Sequence, residues 1–179
     1  IMPKGADSFS QALQMGADSG LHIVDDALKG SDSVGTAKTL AAALADGGYD
    51  LIIFGSESTD ARMSVVPAMV AEILSVPQMT FANKVEVDGT AVKIQRLTEY
   101  GYDEVEASTP AVVSVVEKIN EPRYPSFKGI MAAKKKTIEA VAAPDGGAAG
   151  LSAARSSVEE FAARPPKAAG VKVEDEGNG

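Results

Sequence analysis

The run Asp50–Phe54 (DLIIF) is apolar after its first residue. That pattern suits a parallel strand covered on both faces, and its surroundings carry the alternation such a strand requires. Ala6–Met15 reads as a helix capped by Asp7 or Ser8, with Phe9, Ala12 and Leu13 on one face and Gly16 ending it. Leu21–Val24 is a short apolar strand, and Asp25–Gly30 is polar loop. Ser31 or Asp32 then caps a second helix reaching to about Asp46, with Val34, Ala37, Leu40, Ala41 and Leu44 as its buried stripe. Gly47 and Gly48 stop it. After the loop Gly55–Met63, a third helix spans Ser64–Leu74, with Pro67 tolerated only in the first turn. The order helix–strand–helix–strand–helix is the signature of a parallel sheet with crossover helices.

The middle of the chain changes character. Phe81–Val87 and Ala91–Leu97 flank Asp88-Gly89, a hairpin turn signal, so a β-hairpin is inserted into the parallel scheme. A short strand at Val105–Ala107 and a buried one at Ala111–Val115 follow. Pro122 and Pro125 keep Lys118–Pro125 irregular, Phe127–Lys136 reads as helix, and Thr137–Val141 as extended chain. From Ala142 the composition turns to Ala, Gly, Pro and Ser, as in an arm or linker, with a short helix expected at Ser152–Ala163. Residues 1–141 thus read as an incomplete α/β domain with a parallel, Rossmann-like sheet, flanking helices and a β-hairpin insertion, and 142–179 as an extended C-terminal arm. The chain opens on Ile1 and is helical by Asp7, so a further strand is expected to precede it in the parent protein.

Composition excludes several classes. With 179 residues and 45% hydrophobic content, one folded domain plus tails is the natural organisation. There is no Cys, which removes thiolate nucleophiles and Cys-ligated metals. The single His, His22, lies inside an apolar run; a strand histidine facing a polar neighbour is the simpler reading than a triad whose partners have no place in the sequence. No catalytic residue and no metal site are expected. A net charge of −8 repels phosphate backbones, so nucleic acid is not an expected partner. No apolar run approaches the ~18 residues needed to span a membrane.

Ligands of open α/β sheets sit beyond the carboxyl ends of the strands. Gly55–Met63 occupies that position after DLIIF, and the helix that follows offers free N–H groups and a dipole favouring an anion. Ser58, Thr59 and Ser64 could donate to a phosphate. Glu57 and Asp60 suit ribose hydroxyls or a helix cap, and Arg62 is the local cation. The loop has neither a Walker A pattern nor G-x-G-x-x-G, and an ordinary strand–helix loop carries similar residues.

The most unusual stretch is Asn120–Lys136, NEPRYPSFKGIMAAKKK. Arg123 and Tyr124 lie between prolines. Phe127, Ile130 and Met131 are apolar at i, i+3 and i+4, the spacing of one helix face. Lys134–Lys136 fall at the helix end, where cations complement the dipole. Two readings stand side by side: a core-packed helix with a solvated basic end, or a partner-docking loop presenting Phe127.

This segment closely resembles one found in electron transfer flavoprotein β subunits. Further blocks fall in the family's order: Ala12–Asp18 (ALQMGAD), Asp50–Asp60 (DLIIFGSESTD), Val66–Gln78 (VPAMVAEILSVPQ), Thr109–Lys136 and the tail Ala163–Gly177. The resemblance implies an adenine-nucleotide-binding-like α/β fold and an electron carrier without catalytic residues of its own. It implies a heterodimer with an α subunit that holds most of the FAD, and a structural AMP within the β subunit. It implies acyl-CoA and related dehydrogenases as electron donors, as in fatty acid β-oxidation. The acceptor would be electron transfer flavoprotein–quinone oxidoreductase, and the setting a bacterial cytoplasm or a mitochondrial matrix.

Carried over by position, the AMP loop comprises Gly55, Ser58, Thr59, Asp60, Ser64, Val65 and Val66, and the docking loop Arg123, Tyr124, Phe127, Ile130 and Met131. Ala61, Arg62 and Val65 depart from the residues usual there. The family's first strand would precede Ile1 and its final helix would follow Gly179, so this stretch alone is not expected to bind AMP tightly. The competing expectation is a free adenine-nucleotide-binding regulator resembling stress proteins.

Overall fold

A computed structural model describes residues 5–58, 61–144, 154–167, 170 and 177. The elements in chain order are α1 (Gly5–Met15), β1 (Gly20–Ile23), α2 (Ser33–Leu44), β2 (Leu51–Gly55), α3 (Val66–Leu74), β3 (Gln78–Asp88), β4 (Ala91–Thr98), β5 (Gly101–Ser108), β6 (Ala111–Val115), α4 (Phe127–Ala133) and β7 (Ile138–Val141). The main sheet has the order β2-β6-β3-β4-β5, and β1 pairs with β7 in a separate ribbon. The ladders β1/β7, β2/β6 and β3/β6 are parallel; β3/β4 and β4/β5 are antiparallel. This is the expected α/β class, a Rossmann-like sheet flanked by helices, and the parallel part carries an antiparallel meander.

The helices form where the sequence favours them. Asp32 caps α2, its Oδ1 accepting from Gly35 N at 2.9 Å. Ala37 and Ala41 bury themselves against Val70 and Ala71 of α3 and Val112 of β6, with Leu40, Leu44, Ile52 and Phe54 filling the edges of the cluster. The small residues let two helices lie close on one sheet face. Val34 is only partly buried, whereas Gly35 and Thr39 are buried, so the stripe is rotated from the expected one. In α1 the helix starts before Asp7 and Ser8, which therefore lie inside it; Leu13 is its buried residue and Ala12 is exposed.

On the opposite sheet face a second cluster consists of strand residues: Met79, Ala82, Val92, Ile94, Ala111 and Val113, joined by Leu51, Val85 and Val105. The β3 strand serves both halves of the sheet because it kinks. Its register against β6 shifts between Met79 and Ala82, where Phe81 has φ +59. The buried Ser114 hydroxyl accepts from Phe81 N at 2.9 Å and satisfies the amide that the kink releases. Beyond the kink β3 pairs with β4.

Several expectations are corrected. The β2 strand is an edge strand whose helices cover one face only, so Ile53 is 62% exposed and the run is not covered on both faces. The hairpin turn lies one residue further on, since Asp88 still pairs with Ala91 and leaves Gly89 (φ +57) and Thr90 as the turn. The short strand at Val105–Ala107 extends to Gly101–Ser108, as cross-strand pairing with β4 recruits its charged neighbours. Helix α4 stops at Ala133. No helix forms over the described residues 154–163, where the amides of Arg155 and Ser156 bond to a carboxylate instead of a preceding turn. The His22 ring lies against that of Phe9, centroids 5.2 Å apart.

Candidate functional site

The parallel neighbours β2 and β6 end side by side, with Gly55 registered opposite Val115. Beyond their carboxyl ends lies a cleft of about 520 Å³ lined by Gly55–Ser58, Arg62, Val115–Glu117, Ile119, Asn120 and Pro122. The volume falls within the range of about 300–1,000 Å³ of small-molecule sites. Ser56 ties its floor together: its hydroxyl donates to Val115 O at 2.6 Å, linking the two strand ends. Gly55 has open space where a Cβ would stand, so a ligand can approach the backbone there.

The loop then passes through two left-handed residues, Arg62 (φ +51) and Ser64 (φ +57). The second of these moves the start of α3 to Val66, two residues later than the sequence suggests. Val65 occupies the N-cap and makes no side-chain cap bond. Pro67 removes one donor from the first turn, and the N-cap residue supplies no side-chain acceptor to those that remain. Ser64 Oγ is turned to Glu57 Oε2 at 3.3 Å. This arrangement holds a carboxylate above the loop and leaves a helix N-terminus able to receive an anion.

Of the sequence-predicted loop residues, the structure brings Gly55 and Ser58 to the cleft. Ser64, Val65 and Val66 form the entry to α3, and Thr59 and Asp60 lie outside the described residues. Sequence reasoning missed Ser56 and the whole far wall, Val115–Glu117, Ile119 and Asn120. The signal for that wall was the parallel pairing of DLIIF with AVVSV, which periodicity does not encode.

The cleft wall continues into the basic, proline-containing segment. Tyr124 and Phe127 are 94% and 79% exposed, and Met131 is also exposed. Ile130 is half-buried in α4, which packs against α1. Ser126 caps α4 by accepting from Gly129 N at 3.1 Å. Arg123 turns the other way, its Nη2 donating to Met15 O at the end of α1. Of the Lys134–Lys136 run, Lys136 reaches Ala17 O. One side of the segment thus packs against α1, with no residue of α4 fully buried, and its aromatic side chains face solvent.

The fold is a Rossmann-like α/β sheet flanked by helices, with a cleft beyond the carboxyl ends of β2 and β6. The sequence model of the electron transfer flavoprotein domain family matches residues 2–146. Electron transfer flavoprotein subunit beta of Mycobacterium tuberculosis (strain H37Rv) is 45% identical over 98% of this chain and 68% of its own length. The protein of the same name from Mycobacterium leprae (strain TN) shows the same identity and coverage. That of Syntrophomonas wolfei is 41% identical over 97% of the chain and 66% of its own length. The chain belongs to the family of electron transfer flavoprotein β subunits and spans about two thirds of these relatives. Among the described residues no helix is long and apolar enough to cross a membrane.

Proposed function

We propose that this chain is the AMP-holding half of an electron-transferring heterodimer and carries the surface that docks the electron donor. The observation that carries the reading is the cleft beyond β2 and β6, whose wall runs without a break into a segment with solvent-facing Tyr124 and Phe127. The residues present fit a nucleotide. Gly55 and Ser56 admit a ligand to the backbone, Glu57 and Glu117 can accept from ribose hydroxyls, and Arg62 and the uncapped start of α3 suit a phosphate.

AMP would here be structural, and Gly55, Ser58 and the entry to α3 at Ser64–Val66 would hold it. The partner α subunit would hold most of the FAD, which supplies the electron-accepting chemistry when bound. This chain's own contribution is to orient. Phe127, Tyr124 and Met131 engage acyl-CoA-type dehydrogenases, and electrons pass on through electron transfer flavoprotein–quinone oxidoreductase to the quinone pool.

The test is to co-express the full-length chain with its α subunit and quantify both cofactors after purification. A heterodimer carrying FAD and AMP is expected. A dimer lacking both, or a lone β chain that binds ATP by itself, overturns the reading in favour of a free nucleotide-binding regulator.

A further inference from the structure

Residues 123–136 carry two sets of side chains that point in opposite directions. Tyr124, Phe127 and Met131 face solvent. Arg123, Gly129 and Lys136 all face one short stretch, Gln14–Ala17, at the C-terminal end of α1. The guanidinium of Arg123 donates to Met15 O, and the ammonium of Lys136 donates to Ala17 O. Between them Gly129 lets α4 press onto α1: a Cβ built there would penetrate the Gln14 carbonyl oxygen.

The last carbonyls of a helix lack intrahelical donors and carry the negative end of its dipole, so they accept best from cations. Two cations that flank a seven-residue helix in the chain, Arg123 before it and Lys136 after it, with the Gly129 contact between them, hold the segment at three points. We propose that Arg123 and Lys136 are positioning residues that buckle α4 onto the end of α1 and so fix the aim of Phe127. Their charges are spent on the carbonyl of Met15, the last residue of α1, and on that of Ala17 just beyond it, and are not offered to the docking partner. The inference rests on the docking reading for its consequence, though not for the buckle itself.

The full-length chain, paired with its α subunit, tests both parts separately. In the double variant Arg123→Gln, Lys136→Met, amide exchange across Tyr124–Met131 should rise roughly tenfold while β2, β3 and β6 exchange as before. Arg123→Lys should restore part of the protection, because it keeps a donor but loses the planar fork. With an acyl-CoA dehydrogenase as electron donor, the double variant should raise KM about tenfold at unchanged kcat, the sign of lost positioning and not of lost chemistry. The salt dependence of KM should stay that of the wild type.

Unchanged exchange in the segment overturns the buckle. A KM rise accompanied by a weaker salt dependence also overturns it, since Arg123 would then be a direct charge contact. Phe127→Ala is the separate control. If it leaves KM unchanged while exchange rises in the double variant, the docking reading fails and the buckle stands.

Discussion

Residues 119–136 and residues 154–167 both present exposed aromatic side chains, Phe127 in the first and Phe161 in the second. Both are fixed to the N-terminal part of the chain, but with inverted chemistry. In the first, side-chain cations donate to main-chain carbonyls at the C-terminal end of α1. In the second, main-chain amides donate to a side-chain anion at the N-terminal end of α2. Asp32 Oδ2 accepts from Arg155 N at 2.7 Å, Ser156 N at 3.0 Å and Ser156 Oγ at 3.1 Å, while its Oδ1 caps the helix. Each segment is thus seated on a helix terminus by the charge sign its dipole favours. The difference is packing. The first has its own helix packed on α1; the second, at its described residues, has no helix or strand and hangs on one carboxylate.

On that contrast, the largest effect comes from the outward face of the packed segment. Phe127→Ala should cost about 1–3 kcal/mol of dehydrogenase docking, the scale of an interface anchor. Steady-state KM measured at constant FAD content checks it. Gly129→Ala should destabilise the α1–α4 contact by about 1–3 kcal/mol, as overpacking does, and a urea titration of the heterodimer reads it. An unchanged midpoint would mean α4 rides loosely on α1, removing the difference between the segments.

The arm offers the smaller effects. Asn is as good an N-cap as Asp, so Asp32→Asn should leave α2 in place but free the arm. Trypsin cleavage after Arg155 should speed up about tenfold in that variant with α2 amides still protected. Asp32→Ala should release both. Equal cleavage in wild type and Asp32→Asn would show that the carboxylate does not hold the arm.

Acid gives the gentlest test. The backbone amides of Gly35 and Arg155 hold the Asp32 carboxyl down at about 2, below its ordinary 3.8. A group with a lowered folded value contributes its stability above the unfolded value and loses it as pH falls through the folded one. Protection of the Ser156 amide should therefore persist above pH 3.8 and fade towards about 2, followed by hydrogen exchange against β6 amides as the reference. Residues 119–136, held by Arg123 and Lys136, should not follow that profile.

Much of the scaffold was legible in local pattern. Asp32 before an amphipathic stretch announced α2, Pro67 placed the first turn of α3, and Asp88-Gly89 located the hairpin to within a residue. Local rules failed where a distant partner decided the outcome. The apolar run of β2 does not tell how many of its faces will be covered, and Ile53 is exposed because both helices lie on the other side. The stretch after Ser152 has helical composition, but Asp32 claims the amides of Arg155 and Ser156.

The sequence by itself determined the α/β class, the types of the helices and strands up to β7, the Gly55 loop after β2 and the family, because these depend on periodicity, turn chemistry and residue strings that act over a few positions. Only the tertiary structure decided that β6 supplies the far wall of the cleft, that Ser56 joins the two strand ends, and that Arg123 turns inward while Phe127 turns out. The physical reason is sequence separation. Ser56 and Val115, Arg123 and Met15, and Asp32 and Ser156 meet only after the sheet has ordered its strands, and no local preference of any of these residues specifies its partner.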